Sequence, residues 1–133
     1  MTGIGFDWDM VDGETVTAIL GVGERRMNDG TLSWEALAFA VGEAAVVLTV
    51  NRDTDEVEVA HGDAPDGAEW APVVPLAEFL GKPLGWSWVG TNNRGYQDVF
   101  MMAFGSVVPH ALDPRLMFIA AGSELSCSDI TAR

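Results

Sequence analysis

From Leu32 to Ala60 the apolar positions fall in short runs separated by turn-forming residues. Leu37, Phe39 and Val41 alternate with smaller neighbours, Gly42-Glu43 interrupts, and Val46-Val47-Leu48-Thr49-Val50 follows. Asn51-Arg52-Asp53-Thr54-Asp55 makes a second break, after which Val57 and Val59 alternate with Glu56, Glu58 and Ala60. Two turn signals between β-branched runs predict a three-stranded antiparallel meander. The middle run is apolar on both faces and is expected to be the best covered, whereas Glu56, Glu58 and Ala60 give the third strand a wet, acidic face. Trp34, Leu37, Ala38 and Val41 also fit a helical repeat with Ser33 as N-cap, so a helix is the competing reading there. A membrane span over 32–50 is rejected, because Glu35, Glu43 and Gly42 cut the apolar run below the roughly 18–20 residues a bilayer requires.

An alternating stretch from Thr15 to Val22 predicts an earlier strand. Residues 61–75 mix glycine, proline and acids without period and read as a long surface loop. Pro75 suits the first turn of a short helix over 76–80 that Gly81 stops. Four further strands are expected at about 84–90, 95–104, 115–121 and 124–131, with turns at 91–95, 106–114 and Gly122-Ser123. The chain is therefore expected to be mainly β and antiparallel, a meander plus a second set of strands in a curled sheet or small sandwich, with one short helix near 75–80.

Size and charge sharpen this picture. The 133 residues are 48% hydrophobic, enough for one self-supporting domain. Mean hydropathy is +0.16, and the apolar share is too high for disorder. One cysteine, Cys127, precludes an internal disulfide. The opening residues show neither the basic nor the apolar region of a signal peptide, so a cytoplasmic protein is expected. The formal net charge is −13. Residues 1–66 carry 14 acids and 3 arginines, against 6 acids and 4 bases in 67–133. A field of this sign repels phosphate backbones, so a nucleic-acid partner is not expected. It attracts a basic protein and speeds its approach.

Residues 81–98 hold the densest run of special side chains. Trp86 and Trp88 share a face of a strand, with Leu84 joining them, and Asn92, Asn93 and Gly95 tolerate the positive φ of a turn. Tyr96 and Asp98 share a face with Phe100 and Met102, so a buried Asp98 needs a partner such as Tyr96, a turn asparagine or Ser123. These residues read either as a ligand pocket with aromatic anchors or as a core tryptophan pair beside a structural turn; the burial habits of tryptophan favour the second.

Residues 76–84, Leu-Ala-Glu-Phe-Leu-Gly-Lys-Pro-Leu, followed by Trp86, Trp88, Asn92, Gly95, Tyr96 and Asp98 and by an apolar strand ending at Ser123, resemble a family of small bacterial proteins of uncharacterised function. The Thr54-Asp55-Glu56-Val57 turn is similar too, and the likeness spans about residues 45–130. The resemblance implies a bacterial, single-domain, β-rich protein and carries no catalytic role.

Catalytic and metal motifs are not evident. Asn51, Asp53 and Asp55 have the spacing of the first calcium-loop ligands, but the glycine position falls on Glu56 and the bidentate glutamate position on Gly62. Cys127, His61 and His110 show no zinc spacing. Gly21-Val22-Gly23 starts like a dinucleotide loop, but Arg26 occupies the third glycine position. No catalytic residue, metal or cofactor is expected. The leading expectation is a non-enzymatic module that binds a basic protein partner through Asp53, Asp55, Glu56 and Glu58, as an immunity-type inhibitor of a basic toxin does. The alternative is a small-molecule site or minor enzyme built on Trp86, Trp88, Asn92, Tyr96, Asp98 and Ser123. An exposed strand edge leaves a homodimer open.

Overall fold

A computed structural model describes residues 3–107 and 109–129. Among them twelve strands form two six-stranded sheets. Sheet 1 has the order β1-β7-β6-β5-β2-β8, with β1 Gly3–Ile4, β2 Val16–Val22, β5 Ala36–Val41, β6 Ala44–Asn51, β7 Glu56–Asp63 and β8 Ala71–Pro72. Sheet 2 has the order β3-β4-β12-β11-β10-β9, with β3 Arg25–Arg26, β4 Leu32–Trp34, β9 Leu84–Gly90, β10 Val99–Phe104, β11 Pro114–Ala121 and β12 Glu124–Asp129. Pairing is antiparallel except for β1 on β7. The chain is mainly β, as its periodicity predicts.

The meander is β5-β6-β7, and no helix forms over 33–41. Strand pairing wins because Phe39 opposite Val46 and Leu37 opposite Leu48 put their side chains on one buried face. Residues 32–34, in contrast, belong to the other sheet. β2-β3 and β4-β5 form one long hairpin whose register is constant from Ala18 to Arg26, Gly21 opposite Leu37 and Arg26 opposite Leu32, and which bends from sheet 1 into sheet 2 at Gly23 and Glu35. Gly23 takes φ +69°, a conformation that costs other residues more.

The stretch 61–75 is more ordered than its composition suggests. β7 runs on to Asp63, and β8 adds to the free edge of β2 through Leu20 and Pro72. Only 64–70 and Val73 stay irregular. The expected short helix is a 3-10 turn, Val74–Phe79, stopped at Gly81 with φ +82°. The last strand is described to Asp129; residues 130 and 131 lie outside the described residues.

Phe39 from sheet 1 meets Phe104 and Phe118 from sheet 2, with ring centroids 6.5 and 6.0 Å apart. Val16, Leu37, Leu48, Val57, Leu84, Phe100, Met102, Leu116 and Leu125 fill the same layer.

Candidate functional site

Three hairpin loops meet at one end of the sandwich: 52–55 between β6 and β7, 91–98 between β9 and β10, and 122–123 between β11 and β12. The first is built by Asn51. Its carbonyl accepts from Asp55 N at 2.8 Å, and its Oδ1 accepts from Asp53 N at 3.0 Å. Asp55 closes the loop at φ +55° and its Oδ1 accepts from Ser123 N at 2.9 Å. Glu56 Oε2 accepts from Gln97 N, and Val57 N donates to Gln97 O, both at 2.9 Å. The acidic hairpin and the 91–98 loop, more than 30 residues apart in sequence, are thus bolted together through main-chain groups.

The second loop is built by Asn92. Its Oδ1 accepts from Arg94 N at 2.8 Å and Tyr96 N at 3.1 Å, and its Nδ2 donates to Asp98 Oδ2 at 3.2 Å. This side chain competes with strand pairing, so β10 starts at Val99 rather than at Gly95. Tyr96 and Asp98 therefore precede the strand instead of continuing the face of Phe100 and Met102. Asn92 is the partner Asp98 needs.

The tryptophans correct the sequence expectation twice. Phe104 pairs with Leu84 but Met102 with Ser87, so a bulge inserts one extra residue into β9. Leu84 turns into the core while Trp86 and Trp88 point outward. They are not a core pair: Trp86 is 53% exposed and Trp88 half-buried. At Gly85 the bulge leaves no room for a side chain, since a Cβ there would lie 2.9 Å from Ala111 O.

Among the acids, Asp53 is exposed, Glu58 is half-buried and meets Asn51 Nδ2 at 3.5 Å, and Asp55 and Glu56 hold the neighbouring loops. Among the described residues the ion pairs are Arg52 to Glu35 at 3.8 Å and Arg25 to Glu124 at 2.7 Å, and none of these four carboxylates takes part in one. The bond from Arg25, aided by the Ser33 hydroxyl, holds the Glu124 carboxyl below the usual glutamate range. Thr54 Oγ1 is a buried hydroxyl with no hydrogen-bond partner among the described residues. Thr54→Val should therefore stabilise the fold by about 1 kcal/mol, since an unmade buried bond costs about 1–3 kcal/mol; a lower melting temperature than the parent's would contradict this.

Two clefts lie elsewhere. One of about 320 Å³ is lined by Thr17, Ala18, Leu20, Pro72, Val74 and Leu80 beside the β2-β8 edge. The other, about 190 Å³, is lined by Thr31, Leu32, Trp34, Leu76 and Cys127. Neither includes Trp86, Trp88, Asn92, Tyr96, Asp98 or Ser123. The sequence reading missed both, although exposed Val74 and Leu80 in the proline-rich stretch were a signal for the first. His61 packs on the Phe6 ring at 5.4 Å, and His110 sits exposed in the 3-10 turn His110–Leu112. Among the described residues no group of three or more His, Cys, Asp or Glu is placed to hold a metal, and no helix is long and apolar enough to cross a membrane.

Comparison with curated proteins and with solved structures gives no match. A family model does match, over residues 1–133, and its description is a family of unknown function. The chain belongs to this family, DUF6334.

Proposed function

We propose that this protein is a non-enzymatic interaction module of the bacterial cytoplasm that docks a basic protein partner on the loop end of the sandwich. The supporting observation is how the negative charge is held. Asp55 and Glu56 accept hydrogen bonds from main-chain N–H groups of neighbouring loops rather than from cations. Their charge is fixed in position without being neutralised, with Asp53 and Glu58 beside them on the same hairpin. Preset, uncompensated anions on a scaffold tied across both sheets attract a cationic surface at little ordering cost. Inhibition of a basic toxin is the concrete version of this role.

Asp53→Asn with Glu58→Gln removes two charges while leaving the loop anchors Asp55 and Glu56 intact. Immobilised native chain should capture a basic protein from extracts of its source cells, binding 1:1 with an association rate that falls as salt rises. The double variant should associate at least about tenfold more slowly, by loss of steering. Equal rates for the two chains, or no salt dependence, would refute the docking role.

A further inference from the structure

Each sheet ends on two outer strands, and three of the four are guarded against pairing with another chain. β1 and β8 are two residues long, β8 ends on Pro72, and β3 is the exposed pair Arg25–Arg26. Shortness, proline and charge are ordinary protections of a sheet edge. β9 has none of them: it is seven residues long, Leu-Gly-Trp-Ser-Trp-Val-Gly, without a charge or a proline. Its bulge protects only the end that is already occupied. There Leu84 bonds Gly13 N and Glu14 O at 2.8 and 2.9 Å, and Gly85 O accepts from Trp8 Nε1 at 2.8 Å. Past the bulge the strand runs in register with β10, Trp88 opposite Met101 and Gly90 opposite Val99. Among the described residues the main chain of 86–90 makes backbone–backbone hydrogen bonds to β10 alone. On the outer face Trp86, 53% exposed, and Trp88 stand beside an apolar strip that continues through Met101 and Met117.

We infer that the open edge at 86–90 takes an extended segment of a basic protein as a further strand of sheet 2. Charge selects the occupant. The turn Trp8–Met10 and the chain after it lie against the start of β9. They bring Asp7, Asp9, Asp12 and Glu14 there, all exposed, and residues 1–24 contain no lysine or arginine. Neither ion pair of the described residues involves them. Any sequence supplies the backbone groups of an added strand, but its side chains must lie beside these carboxylates and the Trp86 and Trp88 indoles. Arginine and lysine suit both, pairing with the acids and stacking on the rings. Arg94, the first base beyond Gly90, lies past the other end of the strand, so the cationic side chains belong opposite Trp86. An acidic segment, or a second copy carrying the same net charge of −13, meets repulsion at this edge.

The length of the edge sets the strength. Residues 86–90, at about 3.4 Å each, offer roughly 17 Å of pairing, the span of an ordinary strand. The edge is already formed, whereas the incoming segment is ordered on binding, so the dissociation constant for a short peptide belongs between about 10 µM and 1 mM. This contact is separate from the loop end and uses none of Asp53, Asp55, Glu56 or Glu58.

The probe is an end-blocked hexapeptide alternating arginine and valine, titrated into the isotope-labelled full chain and followed by amide NMR. Backbone signals of 86–90 should shift and saturate with a dissociation constant below about 1 mM. At about ten times that concentration of peptide, hydrogen exchange at the amides it covers should slow about tenfold. The same peptide N-methylated at every residue keeps its charge, loses its backbone donors, and should bind at least about tenfold more weakly. A peptide alternating glutamate and valine should not bind. Trp86→Ala, and separately Asp9→Asn with Asp12→Asn, change exposed positions and should each weaken binding about two- to fivefold while the melting temperature stays within a few degrees. Asp53→Asn with Glu58→Gln should leave the affinity within about twofold, since those charges are distant and screened, so failure of this inference and failure of loop-end docking are read apart. Equal binding by the methylated peptide would mean that charge alone holds it, and equal binding by the glutamate peptide would mean that any strand fits; either result overturns the inference. So does the absence of shifts at 86–90 up to about 5 mM peptide, and shifts confined to 52–58 would overturn it by assigning the peptide to the loop end.

Discussion

Phe39→Ala should lower folding stability by about 3–5 kcal/mol, the range for truncating a buried phenylalanine. For a chain of this length, with about 2.1 cal/mol/K of unfolding entropy per residue, that is a fall of about 11–18 °C in melting temperature. The position explains the size. Phe39 lies on β5 in the interior of sheet 1, is fully buried, and meets both Phe104 and Phe118 of the opposite sheet, the latter edge-on at 71°. Removing the ring opens a cavity between two sheets whose backbones are fixed by their own ladders, so the site collapses poorly and the full penalty is felt. Val74→Ala, at a side chain 75% exposed, is the matched control and should shift stability by less than about 0.5 kcal/mol. Chemical denaturation of the three chains decides the matter: a Phe39→Ala loss under about 1 kcal/mol means the sheets do not meet at this ring.

The same burial logic shows what the residue pattern could reveal. Period-two alternation with glycine and Asx breaks located β2, the β5-β6-β7 meander, β9, β11 and the start of β12, because each of those signals is local. The failures arise where pairing between strands or a single side-chain rotamer decides. The bulge at β9 flips the parity of one strand, so Leu84 and Trp86 could not be assigned to opposite faces by counting in twos. The bend at Gly23 and Glu35 moves a hairpin from one sheet to the other while its register is unbroken, which no period detects. Asn92 withdraws residues 95–98 from β10 through bonds to Arg94 N and Tyr96 N that depend on one side-chain rotamer. The two candidate groups were read as rivals, and their contact through Asp55 with Ser123 and Glu56 with Gln97 exists only after the sheets pack. The apolar outer face of sheet 2 was, in contrast, written in the sequence: 99–104 and 116–121 are unbroken apolar runs, the pattern of strands covered on both sides.

Asn92 offers the second large effect and a test of how the loop end is held. Asn92→Ala deletes two acceptances from main-chain N–H groups and one donation to Asp98, and should lower stability by about 2–3 kcal/mol, or about 7–11 °C on the same entropy scale. The two acceptances from Arg94 N and Tyr96 N involve no titratable group, so the part of that loss they account for should persist as pH falls. Asn92→Asp separates the contributions. Its carboxylate can still accept from Arg94 N and Tyr96 N, but it faces Asp98 across the 3.2 Å now bridged by the amide. Two carboxylates so close cannot both ionise without penalty, so in this variant the folded pair has one proton affinity raised above the unfolded value. A raised pKa destabilises above it and ceases to do so as pH falls through it. Melting measured from pH 7 down to about pH 4, the ordinary carboxylate range, should therefore show Asn92→Asp recovering toward the native chain while Asn92→Ala does not. Parallel behaviour of the two variants would mean that the amide donation to Asp98 contributes nothing. In that case the main-chain acceptances alone would hold the 91–98 loop, and with it Gln97, against the acidic hairpin.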